Sequence, residues 1–381
     1  MELTYIDGGV GAPKGFKASG VHCGIRKNKD KRDLALIVSD TRASAAAVYT
    51  TNLVKGAPIL VTKSNISDGY AKAIICNSGN ANTCNADGEQ KARMMCDIIA
   101  KPLGIDGSDV IVASTGVIGQ VLPIEPISNS AKTLAEALSK DGGSDAAEAI
   151  MTTDTVKKQL AIEFLMDGVI CKIGATAKGS GMIHPNMATM LCFVTTDVAI
   201  APVVLQKILK KVVDKTFNMV SIDGDTSTND MVSVLANGQA KNTEIAQVSE
   251  GCLFEEALFE ILRKLAKMVA GDGEGATHLI ECKVENAKNT EIAKTVSKSV
   301  IASSLTKAAI FGADANWGRV LCAIGYSGAA VDVSKIDVAF KSSAGEISVC
   351  ISGAGVDFSE EIAKKILSER DITICINLND G

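Results

Sequence analysis

The stretch that decides the fold is Ala177-Lys-Gly-Ser-Gly-Met-Ile-His-Pro-Asn-Met-Ala-Thr-Met-Leu191, which leads into Met190-Leu-Cys-Phe-Val-Thr-Thr196. Two glycines flank Ser180 and a Pro-Asn pair follows, a composition typical of turns. The β-branched and aromatic residues after Thr189 are typical of a buried strand. The pattern therefore predicts a glycine-rich loop that enters a core strand at Thr189.

A threonine in this position has a chemical use. The Thr189 hydroxyl can attack the carbonyl of Ala188, and hydrolysis of the resulting ester leaves Thr189 as a new N-terminus. Its freed α-amine has a lower pKa than a lysine and suits the role of general base for the same hydroxyl. Turn chemistry alone favours the other interpretation, a structural loop without chemistry.

Several motifs along the chain carry a resemblance to a known family. They are Lys178-Gly-Ser-Gly-Met-Ile-His-Pro-Asn-Met-Ala-Thr-Met-Leu191, Asn77-Ser-Gly-Asn-Ala-Asn82, Ser114-Thr-Gly-Val-Ile-Gly119, Met151-Thr-Thr-Asp-Thr155, Asp223-Gly-Asp-Thr226, Gly271-Asp-Gly-Glu-Gly-Ala276 and Asn316-Trp-Gly-Arg319. In this order, and over almost its whole length, the chain resembles the ornithine acetyltransferase family, the ArgJ-type enzymes of arginine biosynthesis. The resemblance implies a mixed α+β fold, a layered α/β/β/α sandwich with an additional α/β lobe.

Composition limits the other functional classes. The chain has 381 residues, of which 46% are hydrophobic and 22% charged, which allows a large core and two or three domain-sized units. A net charge of −5 and an aromatic content of 4% argue against nucleic acid and anionic membranes as partners. No apolar run is long enough to span a bilayer, and Met1–Asp7 lacks the features of a signal peptide.

Cysteine usage indicates a reducing compartment. The eleven cysteines are an odd number, lie mostly inside apolar runs and form no C-x-x-C pair. Such residues are more often reduced core side chains than metal ligands or disulfides. We therefore expect a cytoplasmic protein that binds no metal.

Periodicity predicts the main elements. Strands are expected at 33–39, 45–50, 71–76 and 109–113, and a hairpin from 159–165 and 168–173 around Met166-Asp167. Helices are expected at about 87–101, 126–140, 146–151 and 202–213, and along a regular apolar stripe from Phe254 to Val269. The dense charge run from Arg26 to Asp33 predicts an exposed loop without a functional role.

The strand at 109–113 delivers Ser114-Thr115-Gly116, which by itself predicts a turn. A threonine hydroxyl beside a glycine N–H also makes a compact pair of donors for the oxyanion of an acyl transfer. The resemblance implies that Thr115 and Gly116 form such an oxyanion hole.

The resemblance also implies substrate contacts. Lys178 pairs with a carboxylate of an amino-acid substrate, and Glu274 binds its ammonium group. A threonine of the Thr152-Thr153 pair touches substrate, and we choose Thr152. His184 is interpreted as a loop residue without a catalytic role, because no acid that would orient it is evident.

Three other motifs are interpreted structurally. Asn77–Asn82 predicts a tight turn stabilised by side-chain bonds to the backbone, with a pocket-wall role as the alternative. Asp223–Asp230 lacks the final Glu and the helix pair of a calcium loop, so we expect a structured turn near the site without metal. Trp317 is expected to fix architecture, and a functional role is left open for Arg319.

The resemblance implies an enzyme that cleaves itself at Ala188-Thr189 into an α chain, 1–188, and a β chain, 189–381, in an α2β2 heterotetramer. Thr189 takes acetyl from N2-acetylornithine and passes it to glutamate, with acetyl-CoA as a second donor in some relatives and no bound cofactor. Relatives continue beyond Asn377–Gly381 with a tail that supplies an Asn and a Ser or Thr to the substrate. Either the sequence stops short of the natural chain, or the pocket lacks these partners.

Two rival functions remain open at this stage. A self-cleaving aminopeptidase of related fold would keep the threonine nucleophile and use water in place of glutamate. An inactive binding or assembly protein would not cleave itself.

Overall fold

The computed structural model describes residues 3–182 and 190–381, which form two compact units. The first unit lies within Met1–Asn218 and Asp225–Glu274, and the second within Met219–Gly224 and Gly275–Gly381. Among the described residues, no helix is long and apolar enough to cross a membrane. The predicted division into two chains at Ala188-Thr189 lies outside the described residues and stays a prediction.

Over the described residues, a nine-stranded sheet organises the first unit. Its strands are β1 (Leu3–Ile6), β2 (Phe16–Val21), β3 (Leu34–Tyr49), β4 (Tyr70–Asn80), β5 (Val110–Val117), β6 (Lys158–Met166), β7 (Val169–Lys178), β8 (Leu191–Thr196) and β9 (Met231–Ala236). In space they follow the order β1-β6-β7-β8-β9-β3-β4-β5, and β2 pairs with β3. β8 therefore lies inside the sheet, antiparallel to β7 and parallel to β9.

The run after the glycine-rich loop forms a strand because its side chains suit a position covered on both faces. Every residue of β8 is buried, including the large ring of Phe193. β-branched and aromatic side chains pack well on a pleated surface. Burying one such side chain stabilises the folded state by about 1.5–3 kcal/mol. The predicted core strand is confirmed over Leu191–Thr196.

The long strand β3 belongs to both halves of the sheet. It runs for 16 residues, and its register against β4 shifts between Val38 and Ala43. Before the shift it pairs with β2 and β4, and after it with β9 and, at Ala43 and Ser44, again with β4. The prediction of two strands here was wrong, because the exposed polar residues 40–42 resemble a loop while the backbone continues through them as one bent strand.

Alternating side chains of β4 pack into two different hydrophobic clusters, one on each face of the sheet. Ile74 of β4 shares a hydrophobic cluster with Phe193 of β8, although β9 and β3 separate these strands in the sheet. The neighbouring Ile75 points the other way, into a cluster with the helix residues Met95 and Ile99. Both faces of the sheet are therefore covered by packed hydrophobic side chains.

Helices cover the sheet of the first unit, six of them within its described residues. They are α1 (Ala57–Asn65), α2 (Gly88–Leu103), α3 (Glu125–Glu136), α4 (Gly143–Ala149), α5 (Pro202–Lys215) and α6 (Leu253–Gly271). α1 and α2 lie on β5, while α5 packs on β3 and α6 on β6 and β7. The predicted α/β/β/α sandwich is confirmed, although α3 ends at Glu136 rather than near residue 140.

The second unit is the predicted additional α/β lobe. Its elements are β10 (Leu279–Glu285), α7 (Thr290–Ala302), α8 (Ser304–Phe311), α9 (Trp317–Gly325), β11 (Asp337–Ser342), β12 (Gly345–Ile351), β13 (Ala354–Gly355), α10 (Glu360–Leu367) and β14 (Asp371–Asn377). The sheet order is β10-β14-β11-β12-β13. Trp317 packs on the core of this lobe and Arg319 donates to the carbonyl of Leu305 at 2.9 Å, so both residues have architectural contacts.

Candidate active site

Two neighbouring parallel strands, β4 and β5, bring polar residues to the same edge of the sheet. Asn77 is in register with Ser114, and Ser78 with Thr115. Ser114 Oγ donates to Asn77 Oδ1 at 2.6 Å, and Asn77 Nδ2 donates to the carbonyl of Asn80 at 2.9 Å. The tight turn predicted for Asn77–Asn82 was wrong for residues 77–80, which continue strand β4, because pairing with β5 extends through them. The predicted bonds from these side chains to the backbone are present.

Gly116 occupies a position that only glycine can fill. Its φ is +134°, and a Cβ there would lie 2.3 Å from the carbonyl carbon of Gly79 and 2.5 Å from the nitrogen of Asn80. A side chain would therefore force β4 and β5 apart. Thr115 is buried beside it. The structure thus holds Thr115 and Gly116 in a tight strand end, and their role as oxyanion donors stays a prediction.

Asn229 fixes this strand end from a third direction. Its Nδ2 donates to the carbonyls of Ala81 at 2.6 Å and Ser114 at 3.0 Å. Its Oδ1 accepts the hydroxyls of Thr83 and Thr228, each at 2.6 Å. All four bonds are buried, so Asn229 locks the residue before Thr115. The sequence placed it only in a turn near the site, because three of its four partners, Ala81, Ser114 and Thr83, lie more than 100 positions away.

Lys178, the last residue of β7, meets Thr152. Lys178 Nζ donates to Thr152 Oγ1 at 2.6 Å, and the lysine is 2% exposed. Burial lowers the pKa of Lys178, while the carboxylate of Asp154, 3.9 Å from Nζ, acts in the opposite direction. Of the two threonines weighed as substrate contacts, Thr152 is the one that shares a site with Lys178.

A buried ionic cluster lies directly behind this pair. Lys158 Nζ donates to Asp154 Oδ1 at 2.7 Å and to Asp272 Oδ2 at 2.5 Å. Asp154 also accepts from the backbone nitrogens of Thr152 at 3.0 Å and Gly179 at 2.7 Å. We call Asp154, Lys158 and Asp272 the ionic clamp. It joins the segment before β6, the end of β7 and the end of α6.

The charges around the ionic clamp also shift the pKa values of its two carboxyl groups. Burial acts to raise the pKa of Asp154, but the ammonium groups of Lys178 and Lys158 outweigh it and leave that pKa below its ordinary value of 3.8. The pKa of Asp272 is lowered in the same way, with Lys158 and Thr155 outweighing burial. The sequence did not identify the clamp, because strand alternation does not distinguish a buried lysine from an exposed one.

Glu274 reaches the same loop from the end of α6. Its backbone nitrogen donates to the carbonyl of Ser180 at 3.1 Å, and Ser180 Oγ donates to the carbonyl of Asp272 at 2.8 Å. A Cβ on Gly181 would lie 2.6 Å from Glu274 Oε1, so the absent side chain makes room for that carboxylate. The structure therefore places Glu274 against the short loop 178–181, which begins with Lys178.

The charged segment 26–33 differs from the exposed loop without a role that was predicted for it. Asp33 is fully buried, and its carboxylate accepts from the backbone nitrogens of Cys23 at 2.5 Å and Arg26 at 2.8 Å. Arg26, only half-buried, donates through Nη2 to the carbonyl of Thr152 at 2.9 Å. The prediction of an exposed loop without a role was wrong for both ends of the run, because Asp33 organises the loop and Arg26 supports Thr152.

Met190 and Asp230 meet at the head of the central strand. The Met190 N–H donates to Asp230 Oδ1 at 2.8 Å. Asp230 is almost completely buried. Burial raises the pKa of Asp230 well above its ordinary value, although hydrogen bonds from Met190, Thr50 and Ser227 and the charge of Lys178 act in the opposite direction. The predicted nucleophile Thr189, together with Ala188 and His184, lies outside the described residues.

A family model and full-length relatives both match this chain. The ArgJ family model matches residues 17–381. "Arginine biosynthesis bifunctional protein ArgJ" of Caldanaerobacter subterraneus is 48% identical over 381 residues, covering all of this chain and 94% of the relative. Its namesake in Bacillus subtilis is 45% identical over 383 residues, covering all of this chain and 92% of the relative.

A solved structure is also similar in sequence. Ornithine acetyltransferase from Mycobacterium tuberculosis, crystallised with ornithine, is 34% identical, with a TM-score of 0.45 over 48% of this chain and 98% of that one. The family assignment depends on the family model and the full-length relatives. On that basis, this chain belongs to the ArgJ family.

Proposed function

We propose that this chain is the acetyltransferase of arginine biosynthesis that moves acetyl from N2-acetylornithine to glutamate through an acetyl ester on Thr189. The observation that carries the proposal is the Thr152–Lys178 pair with Glu274 on the adjoining loop. A buried ammonium beside a hydroxyl suits an α-carboxylate, and a carboxylate close by suits an ammonium. Both substrates carry such groups.

The chain first makes its own nucleophile. Thr189 Oγ attacks the Ala188 carbonyl, the peptide C–N bond breaks, and water hydrolyses the ester. The products are an α chain of residues 1–188 that ends in a carboxylate and a β chain of residues 189–381 that begins with a free amine. The two chains assemble as an α2β2 heterotetramer in the cytoplasm.

Acetyl transfer follows in two halves. Thr189 Oγ attacks the acetyl carbonyl of acetylornithine while its α-amine takes the proton. Thr115 and Gly116 donate to the oxyanion, and ornithine leaves with the proton. The glutamate amine then attacks the acetyl ester and releases Thr189. The name of the relatives includes "bifunctional". We therefore extend the proposal to acetyl-CoA as a second acetyl donor, with no resident cofactor or metal.

The test separates this function from its rival. The purified protein is incubated with acetylornithine, with and without glutamate, and acetylglutamate and free acetate are quantified. Acetylglutamate formation that depends on glutamate supports the proposal. Free acetate at the same rate in both reactions would instead indicate an amidohydrolase of the aminopeptidase type. A second reaction with acetyl-CoA and glutamate tests the additional donor.

A further inference from the structure

Arg26 carries a charged group beside the candidate site that the proposed reaction leaves unused. The side chain is half-buried, and its Nη2 donates to the carbonyl of Thr152 at 2.9 Å. The hydroxyl of the same threonine accepts from Lys178 Nζ at 2.6 Å. Two cationic side chains therefore meet at one residue, and only Lys178 has a role in the reaction proposed above.

The positive charge of Arg26 is incompletely compensated. The carboxylates of Asp33 and Asp154 act on the guanidinium through their charge, without a hydrogen bond to it among the described residues. Asp33 already accepts three backbone nitrogens, and Asp154 accepts Lys158 Nζ and two backbone nitrogens. Burial lowers the pKa of Arg26 and outweighs the effect of both carboxylates. A carboxylate from a substrate would therefore find an unsatisfied cation here.

Gly79 determines where the Arg26 side chain lies. A Cβ on Gly79 would lie 3.0 Å from Arg26 Cγ, so the stem of the arginine passes across this glycine. Gly79 has a φ of +97° and is in register with Gly116 of β5. The stem therefore lies against the strand end that carries Thr115 and Gly116, and the guanidinium extends to Thr152. Arg26 thus connects the proposed oxyanion donors with the proposed carboxylate-binding pair.

The two amino acids that the proposed reaction binds differ in the charge of their side chains. Ornithine carries an ammonium group, for which Glu274 is proposed, whereas glutamate carries a second carboxylate. Glu274 repels that carboxylate unless a cation pairs with it. Among the described cations next to Thr152, Lys158 is paired within the ionic clamp and Lys178 is assigned to the α-carboxylate. Arg26 is the cation that remains for the second carboxylate.

We propose that Arg26 is a specificity-determining residue that binds the side-chain carboxylate of glutamate and so selects a dicarboxylic amino acid as acetyl acceptor. The proposal rests on the proposed function, in which glutamate accepts the acetyl group. The guanidinium has more N–H donors than its bond to the Thr152 carbonyl uses, so an edge is left for a carboxylate. Its planar fork matches the two oxygens of such a group.

Arg32 is a matched control in the same charged segment. Its Nε donates to the carbonyl of Gly20 at 3.0 Å, so it also bonds a backbone carbonyl. Its guanidinium pairs with Glu148 at 2.7 Å and with Asp145 at 3.1 Å, so its charge is compensated within the fold. A loss that is common to variants of both arginines therefore reports damage to the segment rather than a lost substrate contact.

The experiment measures kcat/KM of the cleaved enzyme with acetylornithine as donor and either glutamate or glutamine as acceptor. Glutamine has nearly the shape of glutamate but lacks the second charge. Wild type should prefer glutamate, and Arg26→Gln should lower that preference about tenfold or more through KM for glutamate, as expected for a lost hydrogen bond to a charged group. Arg26→Lys keeps the charge and should lose less of the preference. Arg32→Gln should keep the wild-type preference.

The KM for acetylornithine distinguishes a substrate contact from mere support of Thr152. If Arg26 only held Thr152, Arg26→Gln would weaken acetylornithine and both acceptors alike, and that result overturns the proposal. It is also overturned if wild type uses glutamine as well as glutamate, or if Arg32→Gln loses the preference equally. Calorimetric titration with glutamate gives a readout without activity. A wild-type chain that transfers no acetyl contradicts the proposed function, whereas equal glutamate binding by wild type and Arg26→Gln contradicts the role of Arg26.

Discussion

Lys178 shows at the scale of one residue how burial creates a binding preference. Its ammonium is almost completely buried, donates to the Thr152 hydroxyl and lies 3.9 Å from an Asp154 oxygen. Asp154 already accepts from Lys158 and two backbone nitrogens. The positive charge of Lys178 is therefore only partly compensated, and a substrate carboxylate would complete its hydrogen bonds.

We predict that Lys178→Met, measured in already cleaved enzyme, raises KM for acetylornithine about tenfold to a hundredfold. A hydrogen bond to a charged group contributes about 1.5–3 kcal/mol, which corresponds to that range. Lys172→Met is the control, because Lys172 lies on the same strand and pairs at 3.7 Å with Glu163 near the surface. An unchanged KM for Lys178→Met would remove Lys178 from the substrate site.

Thr115 is proposed to stabilise the oxyanion during acetyl transfer, whereas Lys178 is proposed to bind substrate. We predict that Thr115→Val lowers kcat about a hundredfold or more and leaves KM nearly unchanged, as expected for a lost oxyanion donor. Thr195→Val is the control, since Thr195 also buries its hydroxyl, which donates to the Val10 carbonyl at 2.8 Å. Steady-state kinetics of the cleaved enzymes give kcat and KM for both variants. An effect of Thr115→Val confined to KM would contradict the oxyanion assignment.

At the scale of elements, the ionic clamp explains why residues distant in sequence form one site. Lys158 enters from β6, Asp272 from the end of α6, and Asp154 binds the backbone next to Lys178. These three charges have little contact with water. Removing one member leaves an uncompensated buried charge, which typically costs about 3–5 kcal/mol.

We predict that Asp154→Asn lowers the free energy of unfolding by about 3–5 kcal/mol, measured by denaturant unfolding at neutral pH. Lys132→Met is the control, because Lys132 and Glu136 pair at 3.8 Å with side chains 83% and 67% exposed. Exposed pairs contribute about 0–1 kcal/mol. Equal stability of the two variants would show that the clamp does not stabilise the fold.

The clamp also predicts a pH dependence. The pKa of Asp154 is lower in the folded chain than its ordinary value of 3.8. The stabilisation is therefore fully present above that value and is lost as the pH falls through the lower folded-state pKa. The difference in unfolding free energy between wild type and Asp154→Asn should shrink below about pH 4. A constant difference from neutral to acidic pH would contradict this.

The elements also show which parts of the fold sequence patterns can predict. The apolar stripe from Phe254 to Val269 and the run after Thr189 predicted α6 and β8, because periodicity reports burial directly. The continuous strand β3 was not predicted, because the exposed polar residues at its bend resemble a loop between two strands. Asn229, Lys158 and Asp230 were missed as site residues because their partners are fixed by topology, which spacing along the chain does not encode.

At the scale of the whole molecule, the proposed cleavage point divides one sheet. β7 lies before it and β8 after it, yet the two pair antiparallel from Ile173 and Thr196 to Lys178 and Leu191. β3 and β9 add a second pairing between the two parts of the chain. Cutting the peptide between 188 and 189 leaves all these hydrogen bonds in place.

We therefore predict that the fragments, 188 and 193 residues of a 381-residue chain, remain together after cleavage. They should co-elute in size-exclusion chromatography of the native protein and separate only in denaturant. An N-terminal affinity tag should retain the untagged second fragment through extensive washing. Separation of the fragments without denaturant would contradict the shared sheet.

The most direct test of the central claim is the intact mass of each chain, with its N-terminal residue, after brief incubation with acetylornithine and no glutamate. We predict a fragment that begins at Thr189 and carries one acetyl group on that residue, with loss of the acetyl when glutamate is added. Thr189→Ala should give a single full-length chain without acetyl. A wild-type chain that stays intact, or an acetyl group on another residue, would contradict Thr189 as the nucleophile.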